Sequence, residues 1–412
     1  MIKPGRDGWT DEQILGAINA VDGMSEVRFR YDVLRGGVRR TSISGDGSVS
    51  MDRFNDIQRT ARFTLREEID WLRDEIKPYM LLRMPDEQIS AEMFAETWGE
   101  RDALGYEWGA FEALGMDWDS IDASVFGSNE WEKRFAEFPL GVFVPSTPTR
   151  NSSNAATSWA VEAYDRTVIL AEDSLTAPLF IAAGTAYLDA AQSVLAGAGI
   201  TQVMVISSVA TQLPADRIFE IGDSKLKVIN TLLSEINYNP IYCDADGVFV
   251  LSQYVEPSVA GVEFSYRADR FSVIGRDTSS DIDFYKVPNV FIAVCSNPDI
   301  ATPLHSVYTN DNPASRLSTV ARGRTITSEV YKPDAVASQG DLDAYVRRRA
   351  FEANQVYETL KFNTALNPLH ERADVLEIQH PDATGVYVES RWTLTMAADG
   401  KMTHEARRLV SL

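Results

Sequence analysis

The chain has 412 residues, 39 Lys and Arg against 60 Asp and Glu, and a formal net charge of −21. At roughly 100–200 residues per domain this predicts a multidomain chain, and 44% apolar residues exclude a wholly disordered one. The acidic balance argues against sequence-independent nucleic-acid binding, which needs a basic surface to displace phosphate counterions, and the lack of an apolar run of ~18 residues predicts no membrane-spanning helix.

Residues 10–21 read as a short helix, with Thr10 as cap, Gln13 at the capping-box position, and Ile14, Leu15, Ile18 and Val21 on the apolar face. From Glu26 the period becomes two. Val27, Phe29, Tyr31 and Val33 alternate with Arg28, Arg30 and Asp32, as in a half-buried strand. Gly36-Gly37 predicts a hairpin turn into a strand over 38–44. Ser44 to Gly47 reads as a further turn, after which Val49, Met51, Ile57, Ala61, Phe63 and Leu65 supply strand faces. Residues 78–84 read as another strand, ended by Pro85-Asp86.

Between Asp86 and Glu132 the composition shifts to 13 acidic residues against a single basic one, Arg101, with eight aromatics interleaved. One reading is a solvated insertion packing its own small core. The other is a docking surface, since Trp and Tyr make interface hot spots; its candidate residues are Phe94, Trp98, Trp108, Phe111 and Trp118. Strands resume over 138–145, a polar turn covers 149–154, and 157–170 reads as two short strands broken at Asp165-Arg166.

Residues 176–252 change to an α/β pattern. A helix over 185–198 carries Tyr187, Leu188, Ala191, Val194, Leu195 and Ala198 on one face, with Gly199 closing it. A second runs from Asp223 or Ser224 to Asn237, with Leu226, Ile229, Leu233 and Ile236 as its stripe. A hairpin follows around Asp244-Ala245-Asp246-Gly247. That tetrad opens like a calcium loop but has Val255 where the twelfth-position Glu belongs, so it reads as a turn. Strands over 262–266, 271–274, 290–294 and 325–331 come next, with Asn310 to Pro313 an exposed loop. A helix over 341–359 has Asp341 as its cap, and strands over 375–379, 385–394 and 401–409 close the pattern.

The predicted fold class is therefore α+β and β-rich, divided into residues 1–175 (with the insertion 86–132), 176–252 and 253–412. Two β regions flanking one α/β region raise the question of a duplication. Little chemistry is visible. The opening residues Met1 to Asp7 lack the apolar stretch of a secretory signal. Cys243 and Cys295 are too few for a disulfide framework, which makes a reducing origin the default. The four histidines, His305, His370, His380 and His404, form no HExxH, and no GxSxG, GxxxxGK[ST] or GxGxxG occurs. His380 and His404 are expected at solvated loops or strand ends. No catalytic, cofactor-binding or metal-ligating residue is predicted.

The order of these pieces resembles the baseplate or tail hub proteins of long-tailed phages. That family includes the hub of contractile tails and the hub part of type VI secretion spike proteins. Phe138 to Phe143 with Pro145, then Trp159 to Asp165, is similar to the end of the family's first barrel. Pro240 to Leu251 is similar to its small α/β module. Asn310 to Ser315 followed by Gly323-Arg324, the helix and Asn367-Pro368-Leu369 leading to Asp374-Val375-Leu376, Tyr387 to Ser390, and Met402 with Arg407 resemble its later motifs. The likeness spans roughly 26–412. The acidic insertion lies outside the common core, and Ala373 stands where the family has a glycine.

The resemblance implies two tube-like antiparallel β-barrel domains with a small α/β domain between them, and a homotrimer whose six barrels imitate a six-fold ring. It implies a structural virion protein without enzymatic activity, made in the host cytoplasm and placed at the tail tip or baseplate. Implied partners are the distal tail protein or tail tube ring, tail tip, spike or fibre proteins, and the tape-measure protein, with DNA passing through the lumen unbound. The alternatives are a hexameric distal tail ring protein, or a cell-wall glycan hydrolase with two carboxyl groups ~5–10 Å apart.

Overall fold

The computed structural model describes residues 2–19, 26–84, 135–152, 157–207, 209–257, 261–269, 273–282, 285, 287–295, 303–333, 336, 338–355, 358–397 and 399–408. Helix α1 (Asp11–Ile18) has the predicted capping box, with the Thr10 side chain accepting from Gln13 N and Gln13 reaching back to Thr10 N. Val21 and the whole of 86–132 lie outside the described residues.

The first segment contributes β1 (Val27–Arg35), β2 (Val38–Ile43), β3 (Gly45–Asp52), β4 (Arg59–Leu65), β5 (Glu75–Arg83), β6 (Phe135–Pro139), β7 (Phe143–Ser152) and β8 (Thr157–Asp165). Gly36 and Gly37 turn the first hairpin at φ +57° and +79°, a conformation that glycine adopts without a Cβ clash. Three expectations need correction. Gly45 and Gly47 belong to strand β3, and are glycine because β4 runs so close: a Cβ on Gly47 would stand 2.2 Å from the Arg62 carbonyl oxygen. The single strand over 138–145 is two strands, split at Gly141 with φ +137°, and β7 then runs on through the predicted turn to Ser152. After Asp165 the chain forms a helix, α2 (Thr167–Glu172). The Asp165 carboxylate accepts from Thr167 N at 2.8 Å and from Arg59 N at 3.0 Å, which turns the backbone out of the sheet.

The middle segment follows the sequence reading. It holds β9 (Leu179–Ile181), α3 (Tyr187–Gly197), β10 (Val203–Val205), β11 (Arg217–Phe219), α4 (Lys225–Glu235), β12 (Tyr242–Cys243) and β13 (Phe249–Leu251). Ser224 caps α4, and Gly199 follows α3 at φ +76°. The two helices share one core with the short strands, built on Leu195, Leu226, Ile229, Leu233 and Phe249. Asp244 accepts from the backbone N–H of Asp246 and Val248, so the tetrad is a turn. The turn also docks the module on the first segment: Gly247 rests on Val142, and Lys77 donates to Asp246 at 2.8 Å.

The last segment adds β14 (Phe264–Arg267), β15 (Ile274–Ile282), β16 (Val290–Cys295), β17 (Leu304–Thr309), α5 (Thr319–Arg322), β18 (Thr327–Tyr331), α6 (Gln339–Gln355), β19 (Glu358–Thr364), β20 (Val375–His380), β21 (Ala383–Met396) and β22 (Met402–Arg408). The helix predicted over 341–359 ends at Gln355, and Glu358 and Thr359 already lie in β19. Its cap is Ser338, which bonds Asp341 in both directions, so Asp341 sits three residues inside. Asn310, predicted on an exposed loop, is fully buried and donates to Ser315 Oγ at 3.0 Å.

Fourteen strands from the first and last segments form one sheet in the order β15-β19-β22-β21-β3-β4-β8-β7-β5-β1-β2, with β14, β20 and β6 branching from it. The two segments join through the antiparallel pair β3–β21, from Arg391 opposite Asp52 to Met396 opposite Gly47. No closed barrel forms among the described residues. One core lies under β1–β8 and the end of β21, around Phe63, Met80, Phe143, Trp392 and Leu394. A second lies under β14, β19, β20 and the start of β21, around Tyr266, Phe362, Leu376 and Tyr387. Ala373 takes a left-handed φ of +59°, a conformation that favours glycine. Ala373→Gly is therefore expected to raise stability by about 1 kcal/mol, read as a higher urea midpoint at unchanged m; a lower midpoint would contradict the strain.

Candidate functional site

The large sheet has one apolar and one polar face, because side chains alternate along each strand. In β4, Ala61, Phe63 and Leu65 are buried while Arg62 is exposed. In β21, Trp392, Leu394 and Met396 are buried while Thr393 and Thr395 face outward. Two adjoining grooves run over this polar face. One, about 800 Å³, is lined by Ser48, Arg62, Thr64, Thr149, Glu162 and Thr395 among others. The other, about 500 Å³, is lined by Asp277, Lys361, Asn363, Arg391, Thr403 and Glu405 among others, and Thr393 lines both. The charges balance: Arg62, Lys361 and Arg391 against Glu162, Asp277 and Glu405. Between them lie hydroxyls such as Ser50 and Thr393, bonded across the β3–β21 pair at 2.9 Å. A chain of charge −21 thus presents a neutral, hydroxyl-lined concavity.

The sheet ends in two open edges. Among the described residues β2 pairs only with β1, and β15 only with β19. Arg39 and Arg40 are exposed on β2, whereas Asp277 and Asp281 are exposed on β15 beside Arg276. One edge is net basic and the other net acidic.

Beneath the second groove lies a fully buried polar centre. His370, Glu389 and His404 come from the loop before β20, from β21 and from β22. His370 Nδ1 stands 2.7 Å from Glu389 Oε2 and 3.1 Å from Asp374 Oδ2. His404 Nδ1 bonds Glu389 Oε1. The outer ring nitrogens are held too: His370 Nε2 lies 2.6 Å from Tyr266 Oη, and His404 Nε2 lies 2.8 Å from Thr364 Oγ1. Burial opposes charge on His370, but Glu389, then Tyr266 and the bonded carboxylates, outweigh it and raise its pKa well above the usual 6.5. Burial also opposes charge on Glu389, yet the two histidines hold it down at about 2. For His404 burial wins and the pKa falls. These are the residues that could share a cation. Their ligand atoms lie within 4.8 Å of one another, and the N–O contacts of 2.7 and 3.1 Å at His370 are hydrogen-bond distances.

His404 was expected at a solvated strand end; it lies within β22 and is buried. The signal was present, since Met402, His404 and Ala406 alternate with Thr403 and Glu405, and the flanking apolar pair fixes the inward face. His380 ends β20 as expected but is also buried, while His305 is exposed on β17. Sequence reasoning missed Glu389, Asp374 and Tyr266 as partners. The predicted docking residues Phe94, Trp98, Trp108, Phe111 and Trp118 all lie outside the described residues.

No family model and no curated protein matches this sequence. Solved structures do. The tail protein from Neisseria meningitidis MC58 superposes over 92% of this chain and 97% of its own, with a TM-score of 0.58 at 10% identity. The 43 kDa tail protein of prophage MuSo2 from Shewanella oneidensis covers 92% and 98%, with a TM-score of 0.52 at 9% identity. The chain thus shares its fold with these tail proteins, in keeping with the resemblance read from the sequence. No described helix is long and apolar enough to cross a membrane.

The buried centre makes stability depend on pH. Glu389 is depressed from 4.5, so its contribution is present above that value and lost as pH falls toward about 2. His404, also depressed, adds to the acid-side loss as pH falls below 6.5. His370 is raised, so its contribution is full below 6.5 and lost as pH rises through its shifted value. Glu389→Gln is expected to cost about 3–5 kcal/mol at pH 7 and to flatten the acid arm in urea titrations from pH 3 to 8. A variant that unfolds at the wild-type midpoint would remove the centre from the account of stability.

Proposed function

We propose that this chain is a structural protein of a phage tail or related injection machine, located in the virion. More narrowly, it is a homotrimeric hub joining the six-fold tail tube or distal tail ring to a three-fold tip, spike or fibre. The observation that carries this reading is one broad sheet with two open edges of opposite charge. An exposed edge offers unpaired N–H and C=O groups, and a head-to-tail contact between copies closes a ring. Arg39 and Arg40 of one copy facing Asp277 and Asp281 of the next would close the tube with matched charge. Each chain would then contribute two arcs, one before and one after the α/β module, as the two tube-like barrels of the expected fold. The near full-length superposition on a tail protein and on a prophage tail protein supports the structural role.

The polar face would line the lumen. DNA passing such a surface meets few uncompensated cations to hold it, and paired charges with hydroxyls stay wetted. The reading needs no catalytic residue, cofactor or metal. The tape-measure protein and the distal tail protein are the partners it implies.

Light scattering on the purified chain is expected to give three copies. A monomer at high concentration, or six copies, would overturn the hub reading, six favouring a distal tail ring. Reversing Arg39 and Arg40 to Glu should weaken the trimer at least tenfold, about 1.4 kcal/mol, and Asp277→Lys with Asp281→Lys in the same chain should restore it. The acidic segment is proposed as the docking surface, through Phe94, Trp98, Trp108, Phe111 and Trp118. Deleting 86–132 should leave the copy number unchanged and abolish attachment of a tip or fibre partner. Loss of the trimer instead would make the segment part of the ring.

A further inference from the structure

A cleft of about 400 Å³ opens where the three segments meet, at residues just after β3, on the middle module, on α6 and before β20. Four arginines line it: Arg53, Arg348, Arg349 and Arg372. Glu352 is the single carboxylate in the lining. It already accepts from Arg348 at 3.0 Å and faces Arg349 at 3.4 Å. The Arg53 guanidinium makes no hydrogen bond or ion pair among the described residues, and that of Arg372 bonds only the Gln58 side-chain oxygen, at 3.0 Å. Both arginines are half-buried. Burial, followed by the charge of Arg53, lowers Arg372 to about 10, so these cations repel one another where water screens them poorly.

The cleft is also aromatic. Arg348 lies 4.3 Å over the Tyr254 ring and Arg372 lies 5.1 Å over Tyr242. Stacking fixes the guanidinium plane; Arg348 donates to Glu352 and to the Tyr238 carbonyl at 2.9 Å, so the donors left for a planar acceptor are those of Arg53 and the outer nitrogens of Arg372. Tyr254 Oη is buried without a hydrogen-bond partner among the described residues, an unused donor at the same wall. An excess of arginine, an orphaned phenol and tyrosine walls in an acidic chain describe a receptor for carboxylates.

We propose that this cleft binds an acidic peptide segment of a protein partner, with its carboxylates bridged by Arg53 and Arg372 and one of them accepting from Tyr254. Arginine matches carboxylate geometry bidentately, and Tyr and Arg are the residues in which interface energy concentrates. Nucleic acid is disfavoured because the cleft is a compact cavity of about 400 Å³ and not an extended groove along which a phosphate backbone could run. This proposal stands apart from the trimeric hub reading.

The test is fluorescence anisotropy of a labelled hexaglutamate peptide with the full chain at 50 mM salt. Inorganic phosphate and a single-stranded oligonucleotide serve as competitors. Saturable binding is expected, weakened at least tenfold by Arg53→Gln and by Arg372→Gln. Arg53→Gln is the safer variant because its head group has no hydrogen bond or ion pair among the described residues to lose, only a stack on Phe54. Glu352→Gln should tighten binding severalfold by removing the competing carboxylate, whereas Arg66→Gln, exposed just after β4 and away from the cleft, should leave it unchanged. No saturation, indifference to Arg53→Gln, or stronger competition by the oligonucleotide or by phosphate than by unlabelled peptide would each overturn the proposal.

Discussion

The molecule depends on a bulge in one strand. Within β21, pairing with β22 shifts register between Glu389 and Arg391, which inserts one residue, Ser390. Before the bulge the odd-numbered Tyr387 and Glu389 point into the second core, beside Leu376 and Phe362. After it the even-numbered Trp392, Leu394 and Met396 point into the first core. An unbulged strand could not change parity, and one of the two apolar sets would face water. Ser390 is tied on both sides: its hydroxyl donates to the Glu405 carbonyl at 2.7 Å, and its own carbonyl accepts from Arg53 N at 3.1 Å.

The histidine–carboxylate centre sits at this point and reads as its fastening. Glu389 is placed there by the bulge. His404 approaches from β22, opposite Trp392, and His370 from the loop before β20. Charges buried this way give little net stability, because desolvation offsets their attraction. They do penalise a slipped register heavily, since a one-residue shift would leave the buried Glu389 carboxylate without its histidine partners. The same strand carries the hydroxyl face outward through Thr393 and Thr395, so the geometry that joins the cores also makes the concave surface continuous from β19 to β7.

Local signals in the sequence carried far. The capping box at Thr10, the glycine pair at 36–37, Ser224 before α4 and the Asp244 turn are interactions within four residues, and each forms as read. The face of β4 was legible because it has one wet and one dry side; in β1 the same alternation was read, but Asp32 is buried and held by Arg30 and Ser42. The errors lie where a long-range neighbour overrode a local preference. Gly45 and Gly47 look like turn residues, yet they are glycine because β4 approaches them. Glu358 and Thr359 looked like the tail of a helix, and β22 and β15 on either side of β19 draw them into the sheet.

By itself, the sequence determined the β-rich class, the helical middle module, the acidic balance and the order of motifs, because these rest on composition, periodicity and short contacts. The tertiary structure alone decided that the flanking segments share one sheet through β3 and β21. It also decided that His370, Glu389 and His404 meet, and that the outward face is electrically balanced. The reason is the same each time: these properties arise from pairing between strands far apart in the chain, Ser50 with Thr393 being one such pair at a separation of 343, and no local pattern encodes which distant strand a given edge will choose.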